Sequence, residues 1–204
     1  MAAVKVLLSL GIWLGWSFYL WRKMRADFGS REVLKLSLGV VIAELAIGWA
    51  VKSTWGAIIG AVGLMVWWSA KSKWNVWEIM DEVIPAGYVS LWGWMMIWKP
   101  GINWLFEGII VLLGLIIGWK IKQDYKGYRW YKSGKTGFVG LYYIGWWALR
   151  EIGSGFVYSP TAYLLGIPVE ELAGVWMLTA VLVAVYLRSE SNTFSNLRLW
   201  KRKP

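Results

Sequence analysis

The sequence predicts an all-α fold, a polytopic membrane protein of seven transmembrane helices with its N-terminus outside and its C-terminus in the cytoplasm. Three observations lead there. Of the 204 residues 58% are hydrophobic, and the mean hydropathy is +0.47, more apolar than a soluble domain of this size. Charged residues gather in clusters with long uncharged runs between them, as in a chain that crosses a bilayer repeatedly. Basic residues fall overwhelmingly in alternate loops, which sets an orientation.

A bilayer core about 30 Å thick takes roughly 20 helical residues to cross. Seven stretches meet that length: 4–21, 33–51, 54–70, 76–98, 102–121, 136–156 and 171–187. The first run, Val6 to Trp21, ends in Arg22-Lys23-Met24-Arg25. A signal peptide carries its charges before the apolar stretch, so the order here predicts a retained helix. The second span contains Glu44, and the third opens on STWGAIIG with Gly56 and Gly60 four apart. The fourth contains Pro85, tolerated in a membrane helix where neighbours satisfy the freed carbonyl. The fifth carries Glu107 near its start, the sixth Arg150 and Glu151, and the seventh is uncharged over most of its length. The predicted organisation is a seven-helix transmembrane domain over 1–187 and a basic cytoplasmic tail over 188–204.

One set of loops holds Arg22, Lys23, Arg25 and Arg31, then Lys71 and Lys73, then Lys120, Lys122, Lys126, Arg129, Lys132 and Lys135, then Arg188, Arg198, Lys201, Arg202 and Lys203. That is 17 of the 22 basic residues, while the opposite side keeps little beyond Lys5, Lys52 and Lys99. Orientation therefore accounts for the net charge of +10, and no nucleic-acid partner is expected. The basic, aromatic loop KGYRWYKSGKTG is expected to lie on anionic headgroups, and VYSPTAYLLGIPVEEL is the outer segment with room for local structure.

There is no cysteine and no histidine. A disulfide, a thiol nucleophile and a lipidated cysteine are excluded, and a zinc site would need carboxylates alone. No metal and no cofactor is expected. Of the 19 tryptophans, Trp21, Trp49, Trp74, Trp77, Trp98, Trp104, Trp119 and Trp130 fall at span ends, as an aromatic belt at headgroup depth. Trp92, Trp94, Trp146 and Trp147 fall inside spans and are expected to fill space in the bundle or face lipid tails rather than form a ligand cage.

Ionisable groups at bilayer depth cost about 2.5–3.5 kcal/mol each at a helix centre, so they mark candidate sites. Arg150 and Glu151 are neighbours on one helix, about 100° apart, and are not expected to face each other. Arg150 is expected to meet Glu107 or Glu44 in a structural ion pair, or to clamp a lipid phosphate. Gly56 and Gly60 form a small-xxx-small packing face, and a glycine-rich helix start can also admit a lipid head to backbone N–H groups.

These segments resemble, in order and spacing, the bacterial prolipoprotein diacylglyceryl transferases. Those are seven-helix enzymes of the cytoplasmic membrane that move a diacylglyceryl group from phosphatidylglycerol to a lipoprotein cysteine. SREVLKLSLG is similar to the family's second-helix opening. TWGAIIGAVGLMVWWSAKSKWNVWEIMDEVIP is similar to the stretch from His-Gly-Gly-Leu to Asp-x-x-x-Pro, with Asp81 and Pro85 in place. NWLFEG puts Glu107 on the family glutamate, GFVGLYYIGWWALREI puts Arg150 on a family arginine, and GVWM resembles the Gly-Gln-Trp that opens the last helix.

The departures fall where the chemistry lies. Trp55 stands for the family histidine, Ala57 for a glycine and Met95 for the essential arginine. Ser154 and Val157 stand where the pattern has a glutamate and a second arginine, and Glu44 replaces a further arginine. Indole has no basic nitrogen and a thioether cannot hold a phosphate. The resemblance thus implies a catalytically impaired homologue that binds phospholipid, phosphatidylglycerol first, through Gly56, Gly60 and Arg150. A lipoprotein precursor or another membrane protein would be its partner. The alternative is an active, diverged transferase with Glu107 as base and Arg150 as sole cation; a further one is a purely structural bundle.

Overall fold

The structure, a computed structural model, describes residues 2–51, 54–98, 101, 103–128, 131, 133, 135–159, 162–164 and 166–189. Lys52, Lys99, Arg129, Trp130, Lys132 and the basic residues of 190–204 lie outside them, as do the side chains of Trp49, Trp55 and Ala57. Among the described residues the chain is all-helical but for one short hairpin. Its seven α-helices are α1 (Ala2–Phe28), α2 (Ser30–Val51), α3 (Thr54–Ser72), α4 (Val76–Trp98), α5 (Trp104–Asp124), α6 (Phe138–Ser154) and α7 (Val169–Ser189). Each overlaps one predicted span. The chain forms two compact units, Met1–Glu107 and Gly108–Pro204.

Length and apolarity suffice for a membrane crossing in three helical stretches among the described residues: Val4–Phe28, Trp104–Gly127 and Val169–Ser189. Their outward faces are apolar at helical spacing. Leu7, Leu10, Leu14 and Phe18 are exposed on α1, and Leu105, Ile109, Leu112, Ile116 and Trp119 on α5. Such continuous apolar stripes are costly in water and suit a hydrocarbon surround. With 17 residues α6 rises only about 25 Å. The first turns of α4 carry Glu78, Asp81 and Glu82.

Helix ends in the first unit are set by local chemistry. Between α1 and α2 stands the single residue Gly29, at φ +80°, a conformation that side chains with a Cβ resist. Helix α1 runs through its basic cluster because Lys23 meets Glu82 on α4 and Arg25 lies over the Trp21 ring, 4.5 Å from its centroid. At the end of α3, Lys73 takes φ 56° and the Trp74 N–H reaches the Ser69 carbonyl at 2.9 Å, a Schellman closure. Asn75 caps α4: its Oδ1 accepts from the Trp77 N–H at 3.1 Å, and its Nδ2 donates to Glu78 at 2.9 Å. Asn103 does the same for α5 through the Phe106 N–H at 3.1 Å. Helix α4 continues unbroken through Pro85.

Packing in this unit is antiparallel. Helix α1 meets α4 where the Trp98 indole donates to Ser9 Oγ at 2.7 Å, where Ile12 faces Gly93, and where Trp16 faces Gly87. Helix α2 meets α3 at Gly60, where an added Cβ would lie 2.8 Å from Ile47 Cδ1 and 3.1 Å from the Ala43 carbonyl oxygen. Leu20, Met24, Val33, Leu36, Val40, Met65, Ile79 and Val83 fill the core.

The second unit is antiparallel too. Helix α6 hangs from α5 by two side chains one turn apart: Tyr142 Oη donates to the Gly114 carbonyl at 3.2 Å and Trp146 Nε1 to the Ile110 carbonyl at 2.9 Å. It closes on α7 at Gly174, where a Cβ would sit 2.9 Å from the Ala148 carbonyl oxygen. The segment between α6 and α7 forms a hairpin, Tyr163–Leu164 against Ile167–Pro168, with Gly166 at φ +79°. At the start of the basic loop and within it, Tyr125 and Tyr131 pack against Phe138, at 5.8 and 4.7 Å between centroids, and are buried. Lys122, Lys126 and Lys135 stay exposed.

A side chain at Gly60 or Gly174 has to push a helix backbone away. Gly60→Leu and Gly174→Leu are each expected to lower stability by about 1–3 kcal/mol, measured by unfolding in micelles. Gly63→Leu, which meets nothing within 4 Å, is expected to be near neutral.

Candidate functional site

In the first unit the described positions that the resemblance names, Gly56, Asp81, Met95 and Glu107, are buried. Gly56 and Gly60 are buried on α3, and the face of Gly60 is occupied by α2. Met95 is 2% exposed on α4, so an apolar thioether fills the place that the resemblance gives to a cation. Trp55 is the second residue of α3. Glu107, in the first turn of α5, is fully buried, and its N–H bonds the Asn103 carbonyl at 3.0 Å. Asp81 and Glu44 are buried on α4 and α2.

In the second unit the site is the C-terminal end of α6. The hydrogen bonds from Tyr142 and Trp146 to α5, and the close contact at Gly174, fix that helix about its axis. Arg150 and Glu151 then both point into protein, at 3% and 5% exposure. Arg150 Nη1 donates to Glu151 Oε1 at 2.6 Å. The guanidinium also lies 5.5 Å from the centroid of the Trp147 ring, one turn back. Ser154 Oγ donates to the Glu151 carbonyl at 2.7 Å, so its hydroxyl is spent on the helix that carries it. Val157, in the turn beyond, is 39% exposed.

The pairing corrects the expectation that Arg150 and Glu151 do not face each other. Their Cβ atoms do diverge by about 100°, as α-helical geometry requires. The arginine stem is long enough to bring its head back to the next residue, and burial leaves two charges more costly apart than together. Trp147 was expected to fill space or face lipid tails. Its spacing of three from Arg150 was the available signal for its second role, as a π-face under the guanidinium.

The chemical consequence is a cation whose charge is largely cancelled. A guanidinium that already serves a carboxylate retains N–H donors but attracts phosphate less. Indole, thioether, glycine and a committed serine hydroxyl supply neither a base nor an oxyanion clamp. Among the described residues no three acidic side chains gather in the manner of a metal site.

Removing one member of this buried pair takes a close opposite charge from the other. Glu151→Gln and Arg150→Met are each expected to cost about 3–5 kcal/mol. The double variant Arg150→Met/Glu151→Leu is expected to recover much of it, which a double-mutant cycle of unfolding free energies measures.

The chain matches no protein-family model, no curated protein and no solved structure in the comparisons made.

Proposed function

We propose that the chain is a multi-pass protein of the bacterial cytoplasmic membrane, related in scaffold to the prolipoprotein diacylglyceryl transferases. On this reading it holds a phospholipid without transferring its diacylglyceryl group. The Arg150–Glu151 contact carries the proposal: the one arginine that matches the family is buried and neutralised by its neighbour at 2.6 Å. Release of glycerol-1-phosphate needs positive charge aimed at the leaving oxygens, and loss of one such donor commonly costs about 10²–10³ in rate. Met95 and Trp55 remove two more of the groups that the chemistry would use. What remains suits hydrogen bonding to a headgroup more than catalysis.

All seven helices cross the membrane on this reading, with the N-terminus outside. Support comes from the one-sided basic loops and from seven helices that each overlap one predicted span. The shorter α6 and the acidic start of α4 are then covered by neighbouring helices or by local thinning of the bilayer.

Two measurements test these statements. Purified protein mixed with phosphatidylglycerol and a lipobox peptide is expected to give no diacylglyceryl peptide above background, while native mass spectrometry finds retained phospholipid. Product formation that Glu107→Gln abolishes would replace this reading with that of an active transferase. The absence of cysteine makes topology mapping direct. Single cysteines at Lys73 and Lys126 are expected to be shielded from an impermeant thiol reagent added to intact cells, and one at Tyr163 to be labelled.

A further inference from the structure

Four buried polar atoms of the first unit lie close in height, and none has a hydrogen-bond partner among the described residues: Nε1 of Trp13, Trp16 and Trp92, and Oε2 of Glu44. Their heights follow from the packing. Ile12 faces Gly93 and Trp16 faces Gly87 in the antiparallel α1–α4 pair, so Trp13 stands level with Trp92 and one turn from Trp16. The turn at Gly29 folds α2 back along α1. Glu44 is fifteen residues beyond Gly29, and Trp16 and Trp13 are thirteen and sixteen residues before it (44−29, 29−16, 29−13). All four groups therefore lie in a slab on the order of 5 Å thick, near the middle of the helices. Trp13, Trp16 and Glu44 are 5%, 4% and 4% exposed, and the Trp13 and Trp16 rings meet edge-on at 6.1 Å.

Buried polar groups are almost always satisfied, and several orphans at one height of one unit call for occupants of one kind. Their chemistry is complementary. The indoles can only donate, and the carboxylate oxygen accepts. A hydroxyl serves both at once, because its O–H donates to Glu44 while its oxygen accepts from an indole N–H. We propose that Glu44, Trp13, Trp16 and Trp92 form an internal site of the first unit that binds a hydroxyl group. Two sources present that chemistry: ordered water, and the polyol head of a membrane lipid. The proposal stands on the first unit alone and is independent of the transferase reading.

The test uses the full chain with ¹⁵N-labelled tryptophan in nanodiscs, the three indole signals being assigned by Trp→Phe variants. Overhauser contacts to the indole protons are recorded in phosphatidylcholine, whose head has no hydroxyl, and in phosphatidylglycerol. Contacts with water that persist in both lipids assign the site to water, and contacts with head protons only in phosphatidylglycerol assign it to a lipid polyol. Either supports the proposal. Glu44→Leu is expected to cut the contacts at these tryptophans by at least about half, leaving belt tryptophans such as Trp119 unchanged; contacts that survive it undiminished overturn the proposal. Indoles that show neither contact in either lipid overturn it as well. That wild-type result decides even where Glu44→Leu fails to fold.

Discussion

At two places a helix backbone lies directly on another with only a glycine between them. Gly60 brings α3 onto the Ala43 carbonyl of α2, and Gly174 brings α7 onto the Ala148 carbonyl of α6. Everything else in the two units is arranged around that approach. An apolar surround gives helices little hydrophobic reason to associate, because lipid tails are as apolar as leucine. Close van der Waals contact must supply the attraction, and it acts only where backbones come near. The large side chains are then free to point outward, as Leu7, Leu14, Leu112 and Trp176 do.

Hydrogen bonds between side chains and main chain set the rotation of each helix once it has docked. Tyr142 and Trp146, four residues apart, donate to carbonyls four residues apart on α5. That ladder holds α6 at one angle and so decides which way Arg150 and Glu151 face. Asn75 and Asn103 do comparable work at helix starts, and the Schellman closure at Lys73 ends α3 three residues before α4 begins. For the partly buried bonds of Tyr142 and Trp146 a low-dielectric surround adds weight, since an unmade one is costly there.

The charged groups show the same economy. Lys23 is matched with Glu82, Arg25 with an indole face, and Arg150 with both a carboxylate and an indole. Tryptophan appears throughout as the partner that tolerates either environment, since its ring is apolar while its face attracts cations and its N–H donates. The indoles of Trp13, Trp16 and Trp92 depart from this rule.

The sequence by itself determined the helices. Apolar runs of bilayer length, separated by basic clusters, placed six of the seven to within about three residues at each end, while α1 runs seven residues past its predicted end, to Phe28. It also marked Gly60 as a packing residue and Glu44, Glu107, Arg150 and Glu151 as the costly groups. Only the tertiary structure decided how those groups are satisfied. Residue spacing gives the direction of a Cβ, and from it Arg150 and Glu151 should diverge. It does not give the path of a long flexible stem, nor what lies within its reach. The burial of Tyr125 and Tyr131, and the shared height of Trp13, Trp16, Trp92 and Glu44, likewise depend on residues distant in the chain, brought together by packing that no single segment encodes.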